Sequence, residues 1–119
     1  MPKRIAVFLF IALAGAACAS FPPPTDTLAN SLASMRGAEE LGAADVPKAA
    51  LALQLANEEV NKAKKLMANG DNELAHFMAL RAGNDAELAI ALTREDRARI
   101  AAEKAKSGVE AAKAEGGTP

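Results

Sequence analysis

The sequence predicts an all-α protein, either a short helical hairpin or a three-helix bundle with one long C-terminal helix. From Thr25 onward, apolar residues recur at spacings of three and four, which is the period of a helix with one buried face. Glycine and proline interrupt this pattern at two places, around Gly42 to Pro47 and at Gly70. Two interruptions divide the chain into three helical segments.

The first predicted helix is capped by Thr25 or Asp26 and stops at Gly42. Its apolar face carries Leu28, Leu32 and Met35. The second helix follows Asp45, a capping residue, and has Pro47 in its first turn, where the missing amide is harmless. It extends to about Ala68. Its predicted buried face is Ala49, Leu53, Ala56, Val60, Ala63 and Met67, and its predicted solvent face is Glu58, Glu59, Lys62, Lys64 and Lys65.

The third predicted helix is the longest. Gly70 provides a turn, Asp71 can cap the helix, and the helical pattern continues from Asn72 to about Lys106. Its first half carries two adjacent stripes, one of Leu74, Met78, Arg81, Asp85, Leu88 and Leu92, the other of Ala75, Ala79, Ala82, Ala86 and Ala89. Small side chains in the second stripe favour close approach of a neighbouring helix.

The far half of this helix has no obvious partner within the chain. A helix of about 35 residues is roughly 52 Å long, which exceeds its neighbours. From Thr93 to Lys106 the sequence is mostly charged residues and alanine, which indicates a solvated single helix or a weak partner face. We therefore expect this end to be exposed or to self-associate. Ser107-Gly108 is expected to interrupt the helix, and residues 107–119 are predicted to be a disordered tail.

The N-terminus has the pattern of an export signal. Lys3 and Arg4 precede an uncharged apolar run from Ile5 to Ala17. A helix through this run would rise only about 20 Å, which is short of the roughly 30 Å hydrocarbon core of a bilayer. The run ends in small residues followed by Cys18, the only cysteine.

This ending resembles a bacterial lipoprotein signal. The residues Ala16, Ala17 and Cys18 match its lipobox, whereas Gly15 stands where leucine is usual. The resemblance implies a signal peptide over residues 1–17, acyl chains on Cys18 that insert into the membrane, and, because Ala19 rather than aspartate follows, an outer-membrane location facing the periplasm. Cleavage after Ala19 and an uncleaved anchor helix remain alternatives. Residues 18–26, with prolines at 22–24, are predicted to form an extended tether.

The charge of the chain argues against nucleic acid as a partner. The full chain carries −1, and removal of residues 1–17 takes away Lys3 and Arg4 but no acidic residue, which leaves −3. A mildly acidic chain without a concentrated basic patch has no electrostatic footprint for a polyanion.

The helical domain is predicted over residues 27–106, and its part from about Leu28 to Leu92 resembles the domain-of-unknown-function family 4398. The resemblance rests on the alanine-rich composition, the Asp45-Val46-Pro47 entry, the Gly70-Asp71 turn and the run from Ala82 to Ala89. It implies a small bacterial envelope lipoprotein and no assigned chemistry.

The sequence offers no catalytic constellation, and no enzyme activity, metal or cofactor is expected. His76, the single histidine, has Asn72 and Leu80 as its helical neighbours, so neither a metal site nor a proton-transfer pair is formed. Arg81 and Asp85 are the most notable polar residues, because both interrupt an apolar stripe and lie four residues apart. They are interpreted as a half-buried structural ion pair or as a polar notch that recognises a partner or glycan.

These observations predict a lipid-anchored envelope protein that acts as a structural or protein-interaction module. The alternative is a soluble periplasmic helical protein that binds client segments or acts like a chaperone. A tether, a spacer and an elongated helix would together hold a surface at a distance from the membrane.

Overall fold

The computed structural model describes residues 20–117 and is all-α, as predicted. Three helices are present in this range, α1 (Thr25–Glu40), α2 (Pro47–Ala68) and α3 (Asn72–Glu115), with a short 3-10 helix at Ala43–Asp45. The predicted signal peptide and Cys18 lie outside the described residues. No helix among residues 20–117 combines the length and apolarity needed to cross a bilayer.

The three helices form an up-down-up bundle. At one end of the bundle, Thr27 near the start of α1 contacts His76 near the start of α3. At the other end, the carbonyl oxygen of Leu41 accepts a 2.6 Å hydrogen bond from Arg97. The helix α1 is therefore parallel to the first part of α3. The helix α2, which lies between them in the sequence, is antiparallel to both. We call the end with Thr27 and His76 the base and the end with Leu41 and Arg97 the top.

The core is built mainly from alanine. The predicted stripe Ala75, Ala79, Ala82, Ala86 and Ala89 is fully buried and forms the face of α3 on which α1 and α2 pack. Larger side chains fill the space between these small contacts, chiefly Met35, Val60 and Met78. By contrast, Leu74 and Leu88 of the other predicted stripe are about half exposed, at 48% and 49%. The alanine stripe is the main packing face, and of the other stripe Met78 is buried and Leu92 is partly buried.

Two connections determine the topology. Gly42 has φ +76° and leads into the 3-10 turn before α2, and Gly70 has φ +84° between α2 and α3. Both values lie in the left-handed region, which glycine adopts without a steric penalty. The predicted turn at Gly70 and the start of α2 at Pro47 are confirmed.

The helix caps differ from the prediction. Thr25 and Asp26 are already inside α1, whose N-cap is Pro24, and Val46 rather than Asp45 is the N-cap of α2. Asp71 is the N-cap of α3, as predicted, but its side chain makes no capping hydrogen bond. The tether predicted for residues 18–26 therefore ends before Thr25.

The helix α3 continues beyond its predicted end. It passes through Ser107 and Gly108 and stops at Glu115, so the structure corrects the predicted end at Lys106 and the predicted disorder up to Glu115. Neighbouring alanines have the highest helix propensity and compensate for one glycine. Residues 98–115 extend past the top of the bundle with every side chain exposed, and we call this segment the overhang. At 1.5 Å per residue it is about 27 Å long.

Candidate interaction site

A buried carboxylate lies on the α2–α3 face that α1 leaves uncovered. Arg81 of α3 and Glu59 of α2 form a salt bridge with 2.8 Å between Nη2 and Oε1. The Arg81 side chain is 65% exposed, whereas that of Glu59 is only 11% exposed. The ion pair thus joins two helices and has one buried and one accessible member.

Glu59 is incompletely paired. Its Oε1 atom contacts Arg81, but its Oε2 atom is buried and has no hydrogen-bond partner in the structure. Burial raises the pKa of Glu59 above its ordinary value, and Asp85 raises it further, while the charge of Arg81 acts in the opposite direction. Glu59, Asp85 and the Arg81 guanidinium therefore form one charge cluster, in which the Glu59 carboxylate is the buried member.

Two apolar side chains, Leu55 and Met78, lie beside this cluster. A shallow groove beside it is lined by Leu55, Met78 and Arg81, together with Glu58, Glu59 and Lys62. Leu51, one helical turn before Leu55, is 59% exposed. Because α2 and α3 are antiparallel and Ala52 packs in the same cluster as Ala89, Leu88 lies at the level of Leu51. We call the surface formed by Leu51, Leu55, Glu59, Arg81 and Leu88 the open face.

The open face combines two features that are common in protein-binding surfaces. Exposed leucines provide apolar area, and a partly buried charge pair provides register and specificity. Within residues 20–117, no group of three or more histidine, cysteine, aspartate or glutamate side chains is placed to hold a metal ion.

The structure changes the interpretation of the predicted site residues. Arg81 pairs with Glu59 across the helix interface, and no salt bridge joins it to Asp85 in the described part of the chain. Asp85 belongs to the same cluster, because it is close enough to raise the pKa of Glu59. Glu59 itself was predicted to face water, and that prediction is wrong. The sequence around Glu58 and Glu59 does not indicate which of the two carboxylates is buried, because this depends on the position of α3.

A second set of polar contacts lies at the base. His76 is half-buried, and its Nδ1 atom is 3.2 Å from Thr27 Oγ1. Its ring lies 5.4 Å from that of Phe21 and 6.0 Å from that of Phe77. Asn72 donates a 2.9 Å hydrogen bond to the carbonyl oxygen of Phe21. These contacts fasten the segment before α1 to the start of α3.

On this geometry, the chain is a small all-α domain whose extended third helix carries two shorter helices on an alanine face. Comparison with protein families identifies it further, because the model of DUF4398, a domain of unknown function, matches residues 26–105. The chain therefore belongs to the DUF4398 family. Comparisons with curated proteins and with solved structures each gave no significant match.

Proposed function

We propose that the protein is a lipid-anchored module of the bacterial cell envelope, held at the outer membrane and facing the periplasm, that binds another envelope protein and has no catalytic role. The observation that carries the proposal is the arrangement of the two ends of α3. Its first residues hold Phe21, three positions after Cys18, and its last 18 residues extend beyond the bundle at the opposite end. A chain attached through Cys18 would present the overhang away from the lipid.

The anchor is supported by the sequence pattern before Cys18. Acyl chains partition into a bilayer at about 0.8 kcal/mol per buried CH₂, and two or three chains hold a protein firmly where one does not. The test is incorporation of labelled palmitate in cells. The wild-type chain and a Ser20→Ala control should both be labelled, and Cys18→Ser should not. Equal labelling of Cys18→Ser would contradict the anchor.

The partner-binding role is supported by the open face. Its exposed leucines and the accessible guanidinium of Arg81 offer contacts that no residue among 20–117 covers. A photo-crosslinking amino acid at Leu55 should give an adduct with an envelope protein in intact cells. The same amino acid at Glu40, which is exposed on α1, is the positional control.

The role of the ion pair can be separated from its contribution to folding. Arg81→Ala should abolish the Leu55 adduct while retaining helicity, whereas Arg94→Ala, an exposed change on the same helix, should leave the adduct intact. Loss of helicity in Arg81→Ala would mean that the pair is structural. Because the long helix was also expected to self-associate, light scattering of the purified protein distinguishes an envelope partner from a second copy.

The alternative is a soluble periplasmic protein that binds client segments in the same way. The groove between Leu55 and Met78 would then take apolar segments of many proteins. This function requires no acyl group on Cys18, so the palmitate experiment separates it from the anchored module.

A further inference from the structure

The base of the bundle carries an exposed cluster of large apolar side chains. Phe21 is 41% exposed, Leu74 is 48% exposed and Phe77 is 52% exposed. Together they line a shallow depression whose floor is the Gly70 turn and the start of α3. We call these three residues the base patch. Their side chains are not part of the core, because the helices pack through the buried alanine stripe.

The segment that precedes α1 reaches this patch at Phe21. Phe21 is fastened there by the hydrogen bond from Asn72 and by its contact with the His76 ring. Phe21 is three positions after Cys18, and a fully extended chain spans at most about 3.6 Å per position, or about 11 Å. The long proline spacer expected from the sequence is thus shortened to a few residues before the contact with α3.

From this placement we infer that the base patch lies against the lipid surface of the membrane. The inference rests on the proposed anchor, because acyl chains on Cys18 would bring the bilayer within about 11 Å of Phe21. Phenylalanine and leucine are among the side chains that interfacial segments bury at the boundary between lipid headgroups and acyl chains. The only charged residues lining the described depression are Asp71 and Glu73, so the patch fits zwitterionic lipid better than an anionic surface.

The consequence is a defined orientation of the protein. With lipid contact at its start, α3 begins at the membrane surface and extends away from it. Its 44 residues span about 66 Å. The open face and the overhang then stand in the periplasmic space, and the bundle does not swing freely on a long tether.

The chain contains no tryptophan, so a single introduced indole reports its own surroundings. The acylated protein is incorporated into phosphatidylcholine vesicles whose acyl chains carry bromine, which quenches tryptophan only at contact range. Phe77→Trp places the indole in the base patch. Val109→Trp, which replaces a residue of similar exposure (55%) in the overhang, is the matched control.

We expect the fluorescence of Phe77→Trp to fall at least twofold relative to unbrominated vesicles and that of Val109→Trp to be unchanged. Flotation of the same samples identifies which idea fails. Protein that floats with the vesicles without quenching of Phe77→Trp overturns the patch and leaves the anchor intact. Protein that neither floats nor carries an acyl group overturns the anchor and, with it, the patch. Equal quenching at both positions overturns the upright orientation.

Discussion

Replacement of Ala82 by leucine tests whether the helices depend on close approach across small side chains. Ala82 has no exposed surface and packs in one cluster with Met35, Ala56, Val60 and Ala86. Leucine adds three carbon atoms where the surrounding side chains leave no space. Overpacking of a filled core destabilises a protein by about 1–3 kcal/mol. In a domain of this size, 1 kcal/mol shifts the thermal midpoint by about 4–8 °C, so we expect a decrease of about 4–24 °C.

The matched control is Ala91→Leu, because Ala91 lies on the same helix but is exposed. The same change of side chain there should alter the free energy of unfolding by no more than about 0.5 kcal/mol. Urea denaturation followed by circular dichroism, together with thermal melts, measures both variants. If Ala82→Leu were as stable as Ala91→Leu with an unchanged dependence on urea, the tight alanine interface would be refuted.

Three further predictions concern the carboxylate, the glycines and the overhang. Because the pKa of Glu59 is raised on folding, the folded state retains a proton above the ordinary value of 4.5, and stability falls as pH rises through the raised pKa. Glu59→Gln should lack this fall. If urea denaturation from pH 4 to 7 gave the same pH dependence of the unfolding free energy for Glu59→Gln and wild type, the prediction would be contradicted. Gly70→Ala should lower the unfolding free energy by about 1–2 kcal/mol, because φ at this position is +84°. Gly108→Ala, by contrast, should stabilise the helix of the overhang by about 1 kcal/mol. Equal urea midpoints for Gly70→Ala and wild type would count against backbone strain at Gly70. Truncation after Ile100 should leave the thermal midpoint of the bundle unchanged, since the removed side chains are exposed, and a loss of several degrees would show that the overhang contacts the bundle.

The sequence predicted those features that depend on local pattern. The start of α2 at Pro47, its end at Ala68 and the turn at Gly70 are each set by residues next to one another, and all three are confirmed. The alanine stripe of α3 was also identified correctly as a face for close packing, because its period follows directly from helical geometry.

The sequence failed where the outcome depends on distant residues. Glu59 is adjacent to Glu58 and chemically identical, and only the antiparallel position of Arg81 determines which carboxylate is buried. The contact of Phe21 with His76 joins residues 55 positions apart, so an isolated proline-rich segment appeared to be a free spacer. The extension of α3 to Glu115 shows that a single glycine among alanines does not end a helix.

The most direct test of the account is the intact mass of the mature protein isolated from bacterial membranes. We expect a chain that begins at Cys18 and is heavier than the bare polypeptide by the mass of attached diacylglycerol, with or without a further acyl group on its amino terminus. A chain recovered with an unmodified thiol, or one cleaved after Ala19, would contradict the lipid anchor on which the proposed function depends.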